Sequence, residues 1–395
     1  MYEKYIQKGT KRLRCGYTTG TCAAGAAKAA AQTLLSGVPT QHVSIMVPAG
    51  DEIPLEVEEL TVSGNSVICA VRKDGGDDPD ATHGMLIYAS VSKTPVADAP
   101  SAEKIETAAG RVLIDGGAGI GRVTKPGLDQ PVGAAAINSV PRRMIAENVR
   151  EVMDRFRYEG TLQIEISAPE GEQIAARTFN PHLGIEGGIS IIGTTGIVEP
   201  MSNDAILGTV KAELSMRRAQ GEKIAFLTLG NYGSSYLTAY YPALVEKAVT
   251  CSNFIGDSID LCLEMDFEGI LILGHFGKLV KLGAGIMNTH SAFADGRMEV
   301  LIACALAAGA DTGTLRRIAS AATTDAAIAI LKECDILDAA MTKLTERVDY
   351  YLRKKVKDDI PVGAILFTEA EKVTVQTPAA GELLEYLLEV HSSEC

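Results

Sequence analysis

The sequence predicts an α+β domain over residues 1–200, followed by an α/β domain over 201–395 with a doubly wound, mostly parallel sheet. Three observations predict it. The first half shows a run of short strand-like segments interrupted by only two or so helices, the pattern of α+β architecture. The second half alternates apolar strand patterns with helical ones, which suits βαβ units. Glycine turns follow the strands of that second half, at the carboxyl ends where such sheets bind ligands.

The elements follow in chain order. Thr18 to Ser36 is rich in alanine and carries Leu34 and Leu35; a threonine at its start and Gly37 at its end supply both helix caps. Val43–Val47, Ile53–Glu59, Val67–Arg72 and Met85–Val91 read as strands bounded by Pro, Gly or Asp. Arg111–Asp115 and Leu162–Ser167 add two more. Between those two, Pro141 opens a helix with Met144, Ile145, Val149, Val152 and Met153 on one face. The domain boundary is placed near Pro200. A helix over Asn203–Ala219 then leads to a buried strand, Ile224–Leu229, and Gly230-Asn-Tyr-Gly233 turns the chain into another helix. Gly269–Leu273 is a second apolar strand, ending in Gly274-His-Phe-Gly277. Three or four helices occupy Ser291–Lys355, and Ala364–Phe367 is a last strand.

Composition narrows the function. The 395 residues hold 37 Lys plus Arg against 50 Asp plus Glu, a net charge of −13. A nucleic-acid binder needs a basic face, so that class is disfavoured, whereas a local basic pocket for a small anion is not. No apolar run reaches the roughly 18 residues of a membrane span. Lys28 interrupts the segment that would otherwise resemble a signal peptide. Eight cysteines without CxxC spacing are expected as thiols, and the protein as cytoplasmic. The 39 glycines, about 10% of the chain against a typical ~7%, favour many tight loops.

Several motifs imitate ligand sites. Val112-Leu-Ile-Asp-Gly-Gly-Ala-Gly-Ile-Gly121 resembles the first motif of Rossmann-type methyltransferases, but Arg122-Val-Thr-Lys-Pro-Gly127 cannot propagate the helix that must follow. It is either a structural turn or a ligand loop of another kind. Gly274-His-Phe-Gly-Lys278 is too short for a P-loop and has Leu279 where Ser or Thr is required, which disfavours a phosphotransferase. Asp77-Asp-Pro-Asp-Ala-Thr-His83 gathers three carboxylates and an imidazole; an Asx turn is favoured over a metal site, and no metal is assigned. Within and beyond it, Asp78, His83 and His290 are the candidate catalytic groups. His290 is equally readable as a packed core histidine.

The strings LRCGYTTGTCAAGAAKAA (Leu13–Ala30), DGGDDPDATHG (Asp74–Gly84), GGAGIGRVTKPGL (Gly116–Leu128), INSVPRRMI (Ile137–Ile145), FNPHLGIEGGISIIGTTGIVEPMS (Phe179–Ser202), SNFIGD (Ser252–Asp257) and LGHFGKLVKLGAGIMNTHS (Leu273–Ser291) resemble the CbiD family. These are the cobalt-precorrin-5B C(1)-methyltransferases of anaerobic cobalamin synthesis. One departure is Ala118, where a GGEGVG-like run would place an acid. The resemblance implies methyl transfer from S-adenosylmethionine to ring carbon 1 of a cobalt-containing tetrapyrrole, with cobalt belonging to the substrate. A non-catalytic corrinoid carrier is the alternative. Its partner would be a small corrinoid with several carboxylates, not nucleic acid or membrane, with self-association left open.

A polycarboxylate substrate calls for clustered Arg and Lys. Arg122, Lys125, Arg142, Arg143, Lys278 and Lys281 are the candidates because they adjoin glycine turns or helix starts, with Arg12 and Arg14 nearby. They are expected to converge. Thr18, Thr19 and Thr21 at a helix start form a candidate anion cradle. For the methyl donor the candidates are Gly230, Asn231, Gly233, Gly274, His275 and Gly277, with Asp257 for ribose hydroxyls and Thr194-Thr-Gly196 nearby in sequence.

Overall fold

The computed structural model describes residues 2–94, 103–107 and 110–394. They form two compact units that divide between Ser202 and Asn203. The first is built on a six-stranded sheet in the spatial order Glu59–Ser63, Ser66–Arg72, Leu86–Thr94, Thr161–Ser167, Gly110–Gly116, Glu103–Thr107. Only Gly110–Gly116 and Thr161–Ser167 run parallel. Parallel neighbours need a crossover, and the Ser139–Phe156 helix supplies it.

The alanine-rich helix, Thr19–Ser36, packs between that crossover helix and the sheet. Its alanines let the backbones approach closely. Thr18 caps it by accepting from the Thr21 N–H, and Gly37 closes it at φ 73°. Lys28, in the middle of this apolar helix, reaches Glu151 of the crossover helix at 2.8 Å and the Ser44 carbonyl. One sheet face is core, with Ile87, Ala89, Val91, Val112, Ile114, Leu162, Ile164 and Ile166 buried. Their neighbours Tyr88, Ser90, Gln163 and Glu165 stay at least partly exposed, as in a sheet covered on one side.

The expected strand over Ile53–Glu59 is two strands. Glu52–Glu56 pairs with His42–Met46, whereas Glu59–Ser63 joins the large sheet. The change of partner falls between Val57, whose N–H donates to Gln41, and Glu58, whose N–H donates to Ala70. An apolar pattern cannot show which neighbour a strand bonds.

The second unit holds a five-stranded sheet in the order Val249–Thr250, Ile224–Thr228, Gly269–His275, Val362–Phe367, Thr374–Gln376. The first four strands are parallel and the last antiparallel. Both faces are covered. Ala225, Leu227, Ile270, Ile272, Ala364 and Leu366 lie in one core; Ile224, Phe226, Leu271, Leu273, Ile365 and Phe367 lie in another. Burial on both sides explains why these strands read as unbroken apolar runs. The Asn203–Ala219 helix has its expected bounds. Ser291–Lys355 contains four helices: Arg297–Ala307, Thr312–Ala319, Thr324–Glu333 and Leu337–Lys355. Ile255–Glu264 and Ala380–Glu394 are helices that the sequence reading does not anticipate.

Connectivity sets the place of a site. From Ile224–Thr228 the chain passes through the Gly230–Tyr240 helix to Val249–Thr250 on one side. From the adjacent Gly269–His275 it proceeds, by way of Phe276–Leu279, to Val362–Phe367 on the other side. The connections leave these neighbouring carboxyl ends in opposite directions, which opens a crevice between them.

Candidate functional site

In the first unit the Asp-rich loop is wired internally. Lys73, with its side chain 1% exposed, meets Asp80 at 2.7 Å, and Arg14 grips Asp74 with two bonds of 2.6 and 2.8 Å. The two cations offset the mutual repulsion of the acids that crowd this loop. The Arg14 guanidinium holds the Asp74 carboxyl below its ordinary range, against burial. Burial pushes the Asp80 carboxyl up, but the Lys73 charge and the Thr82 hydrogen bonds together bring it lower than usual. Asp77 accepts from the Arg14 N–H, Asp78 from the Met201 N–H at 2.9 Å, and His83 Nδ1 from the Gly75 N–H at 3.0 Å. Asp78 and His83 therefore tie main chain together. Among the described residues no cluster of His, Cys, Asp and Glu has the form of a metal site.

The Gly116–Gly121 run is a junction of main chains. Gly119 sits at φ +74°, and a Cβ there would lie 1.8 Å from the Ala168 carbonyl oxygen. Around it, Ala168 N–H donates to Ala118, Ile189 N–H to Gly119 and Gly121 N–H to Ile189. A strand, Arg122–Val123, follows instead of a helix. The close approach that the glycines permit is thus to other backbone.

The threonine cradle is filled as well. Thr18 N–H and Thr21 Oγ1 both donate to the Gly196 carbonyl, and Gly20 N–H to that of Ile192. Thr19 Oγ1 also accepts from the Ile192 N–H. Residues 192–196, which include Thr194-Thr-Gly196, occupy the helix start, so the expected anion cradle is corrected to a loop anchor.

The cations divide by what they face. Arg142 is 2% exposed and donates to the carbonyls of Ile137, Ile114 and Ala135. Lys281, 4% exposed, donates to Thr289 and Ala294 carbonyls at 3.1 and 2.8 Å. Both brace loops from within. Arg122 pairs with Asp115 at 2.7 Å and with the Gly116 carbonyl. Arg14 is engaged by Asp74, and Arg12 lies over the Tyr5 ring. Among the described residues, no ion pair or hydrogen bond engages the side chains of half-buried Lys125, exposed Arg143 or half-buried Lys278. Lys125 and Arg143 belong to the first unit and Lys278 to the second.

At the carboxyl edge of the parallel sheet, several predicted residues do come together. Gly230, Asn231 and Gly233 form the first turn of the Gly230–Tyr240 helix. Gly233 packs so closely on Thr228 that a Cβ would fall 1.9 Å from its hydroxyl. That buried hydroxyl has no hydrogen-bond partner among the described residues. Gly274 and His275 end the neighbouring strand, and His275 Nδ1 accepts from the Gly277 N–H at 3.1 Å. Tyr232 lies 5.3 Å from His275, His275 meets Phe367 edge-on at 5.9 Å, and Tyr236 stacks on Phe367 at 4.0 Å. Sequence reasoning does not single out these aromatic residues, although Tyr232 stands inside the Gly230-Asn-Tyr-Gly233 turn. Burial pushes the Lys278 ammonium below its ordinary pKa.

Asp257 is exposed in the first turn of the Ile255–Glu264 helix. The loop before it is bonded to the His290 loop: Thr289 N–H donates to Asn253 O, and Thr289 Oγ1 to Asn253 Oδ1. His290 is exposed at the tip of its loop, with Nδ1 accepting from Ala292 N–H. It is not a core histidine.

The fold is that of an α/β protein whose strand order reverses at this edge, the place where many enzymes of this architecture bind their ligands. A family model described as CbiD matches residues 6–200, and one described as CbiD, C-terminal domain, matches residues 288–378. A protein from Ruminiclostridium cellulolyticum named cobalt-precorrin-5B C(1)-methyltransferase is 40% identical over 98% of this chain and 98% of its own. One of the same name from Citrobacter koseri is 44% identical over 80% of each. A crystal structure of a cobalamin biosynthesis protein (cbiD) from Archaeoglobus fulgidus is 28% identical, covers 75% of this chain and 87% of that one, and has a TM-score of 0.39. The chain belongs to the CbiD family, whose curated members are methyltransferases. Among the described residues no helix is long and apolar enough to cross a membrane.

Proposed function

We propose that this chain transfers a methyl group from S-adenosylmethionine to ring carbon 1 of cobalt-precorrin-5B in cobalamin biosynthesis, with the donor seated at the carboxyl edge of the parallel sheet. The observation that carries the reading is the divergence of the chain at Leu229–Gly233 and Gly274–Lys278, which opens a crevice in the second unit. The donor set there fits the methyl donor: Lys278, half-buried and facing no carboxylate among the described residues, suits a carboxylate group. When bound, the donor supplies an electrophilic methyl carbon on a sulfonium. Lys278 holds the carboxylate, and the two turns exclude water from the crevice.

The ring carbon forms the new C–C bond as the C–S bond breaks and its electron pair stays on sulfur. Alignment of two reactants contributes roughly 7–11 kcal/mol, whereas a positioned acid or base adds about 10²–10⁴-fold in rate, near 3–5 kcal/mol. Positioning therefore dominates. This agrees with Asp78 and His83 being spent on main chain. Incubation with methyl-labelled S-adenosylmethionine and the reduced cobalt corrinoid is the test: label entering the ring supports the enzyme, and corrinoid binding without transfer supports a carrier. In single turnover, Asp78→Asn, His83→Ala and His290→Ala each retain transfer. Loss of transfer in one of them, with both ligands still bound, refutes positioning as the main contribution.

A further inference from the structure

We infer that Tyr232 and His275 form the seat of the adenine ring of the methyl donor. The inference rests on the donor reading above and adds to it the part of the donor that these rings recognise. Three separate elements deliver the aromatic groups: the Gly230–Tyr240 helix gives Tyr232 and Tyr236, and the ends of two adjacent strands give His275 and Phe367. The stack of Tyr236 on Phe367, with the Phe367 and His275 rings nearly perpendicular, backs the imidazole. Tyr232 is 59% exposed, yet its ring leans on His275 at 5.3 Å. The two rings are inclined by 44°, so the exposed face of Tyr232 can stack a planar guest while His275 meets its edge.

Polarity and size favour a purine. With Nδ1 of His275 accepting from Gly277, the neutral imidazole carries its proton on Nε2, a donor suited to a ring nitrogen. Phe367 behind them is fully buried, so a guest meets only the rings of Tyr232 and His275, a platform sized for one planar ring system and not for a tetrapyrrole with its arms. Leu229–Gly233 and Gly274–Lys278 also contain one Lys and no Arg, too few cations for a substrate with several carboxylates.

The test titrates the full chain, by calorimetry, with S-adenosylhomocysteine, with adenosine and with cobyrinic acid as a cobalt-corrinoid probe. Tyr232→Leu removes the exposed ring, Tyr232→Phe keeps it, and His275→Asn keeps an oxygen acceptor for the Gly277 N–H while removing the imidazole. Tyr232→Leu and His275→Asn are expected to weaken S-adenosylhomocysteine and adenosine about tenfold or more, the scale of one lost base–aromatic stack. Tyr232→Phe stays near wild type, and cobyrinic acid affinity is unchanged throughout. Wild-type affinity for the nucleosides in both Tyr232→Leu and His275→Asn overturns the seat while leaving the donor reading intact. Loss of cobyrinic acid instead of adenosine overturns it in favour of the pigment. A wild-type chain that binds neither nucleoside removes the donor reading and this inference together.

Discussion

Replacing Lys73 by Met removes a cation that neutralises Asp80 from inside the fold. The Lys73 side chain is 1% exposed and that of Asp80 is 23% exposed, with 2.7 Å between them. Removing one partner of a buried pair costs about 3–5 kcal/mol. Asp80 keeps hydrogen bonds from the Thr82 N–H and hydroxyl and keeps some contact with water, so the lower figure, about 3 kcal/mol, applies. At about 2–4 °C per kcal/mol for a unit of this size, the melting temperature falls by about 6–12 °C at pH 7. The pH dependence is the sharper readout. A carboxyl whose folded pKa is depressed stabilises fully above its unfolded pKa, and this is lost as pH falls through the folded one. In Lys73→Met the Thr82 hydrogen bonds remain but burial, the largest influence on this carboxyl, loses its main opponent and raises Asp80, so acid relieves the variant while it weakens the wild type. Thermal unfolding followed by circular dichroism from pH 7 downward should show the gap narrowing below about pH 4. The double variant Lys73→Met/Asp80→Asn should recover most of the loss. A variant melting within about 1 °C of wild type at pH 7, or a gap that ignores pH, refutes the reasoning.

Gly119→Ala forces a side chain into the Ala168 carbonyl at a left-handed φ, and the urea midpoint of the first unit should drop by the equivalent of more than about 3 kcal/mol. Thr18→Val removes a helix cap worth about 1 kcal/mol by urea unfolding, and cobyrinic acid affinity should not change. Lys278→Met should leave the melting temperature intact and weaken S-adenosylhomocysteine about tenfold, the loss of one charge-assisted bond. Because burial lowers the Lys278 pKa from 10.5, wild-type affinity should fall with rising pH before that value is reached.

Helix ends were legible in the sequence where local chemistry fixes them. Thr18 and Gly37 cap the alanine-rich helix within a few residues, and Asn203–Ala219 follows its own periodicity. Two-residue strands such as Gly16–Tyr17 and Ile197–Val198 exist only through distant partners, so no local pattern announces them. Several cations beside the glycine turns answer a similarly non-local demand. Glycine lets backbone segments cross, and crossings leave carbonyls that need donors. Arg122 serves Gly116, Arg142 serves three carbonyls near the same junction, and Lys281 serves two in the His290 loop. The edge at Gly230 and Gly274 was legible because the order of strands and helices locates it without any side chain. Its aromatic lining was not, since Tyr236 and Phe367 meet only after folding.

The pairing of Gly269–His275 with Val362–Phe367 joins stretches of chain about 90 residues apart, a distance that makes such contacts slow to form. During synthesis, the middle strand leaves the ribosome long before its neighbour exists, and at least five helices, from Phe276–Leu279 to Leu337–Lys355, are made in the interval. Until then one whole flank of Gly269–His275 lacks its hydrogen-bonding partners, an invitation to stick to other nascent chains. The finished sheet closes this hazard with strands of two and three residues at its margins, too short to template growth. Aggregation risk in this protein is therefore concentrated in the stage of synthesis before Val362–Phe367 is made, and truncation ahead of Val362 would make it permanent.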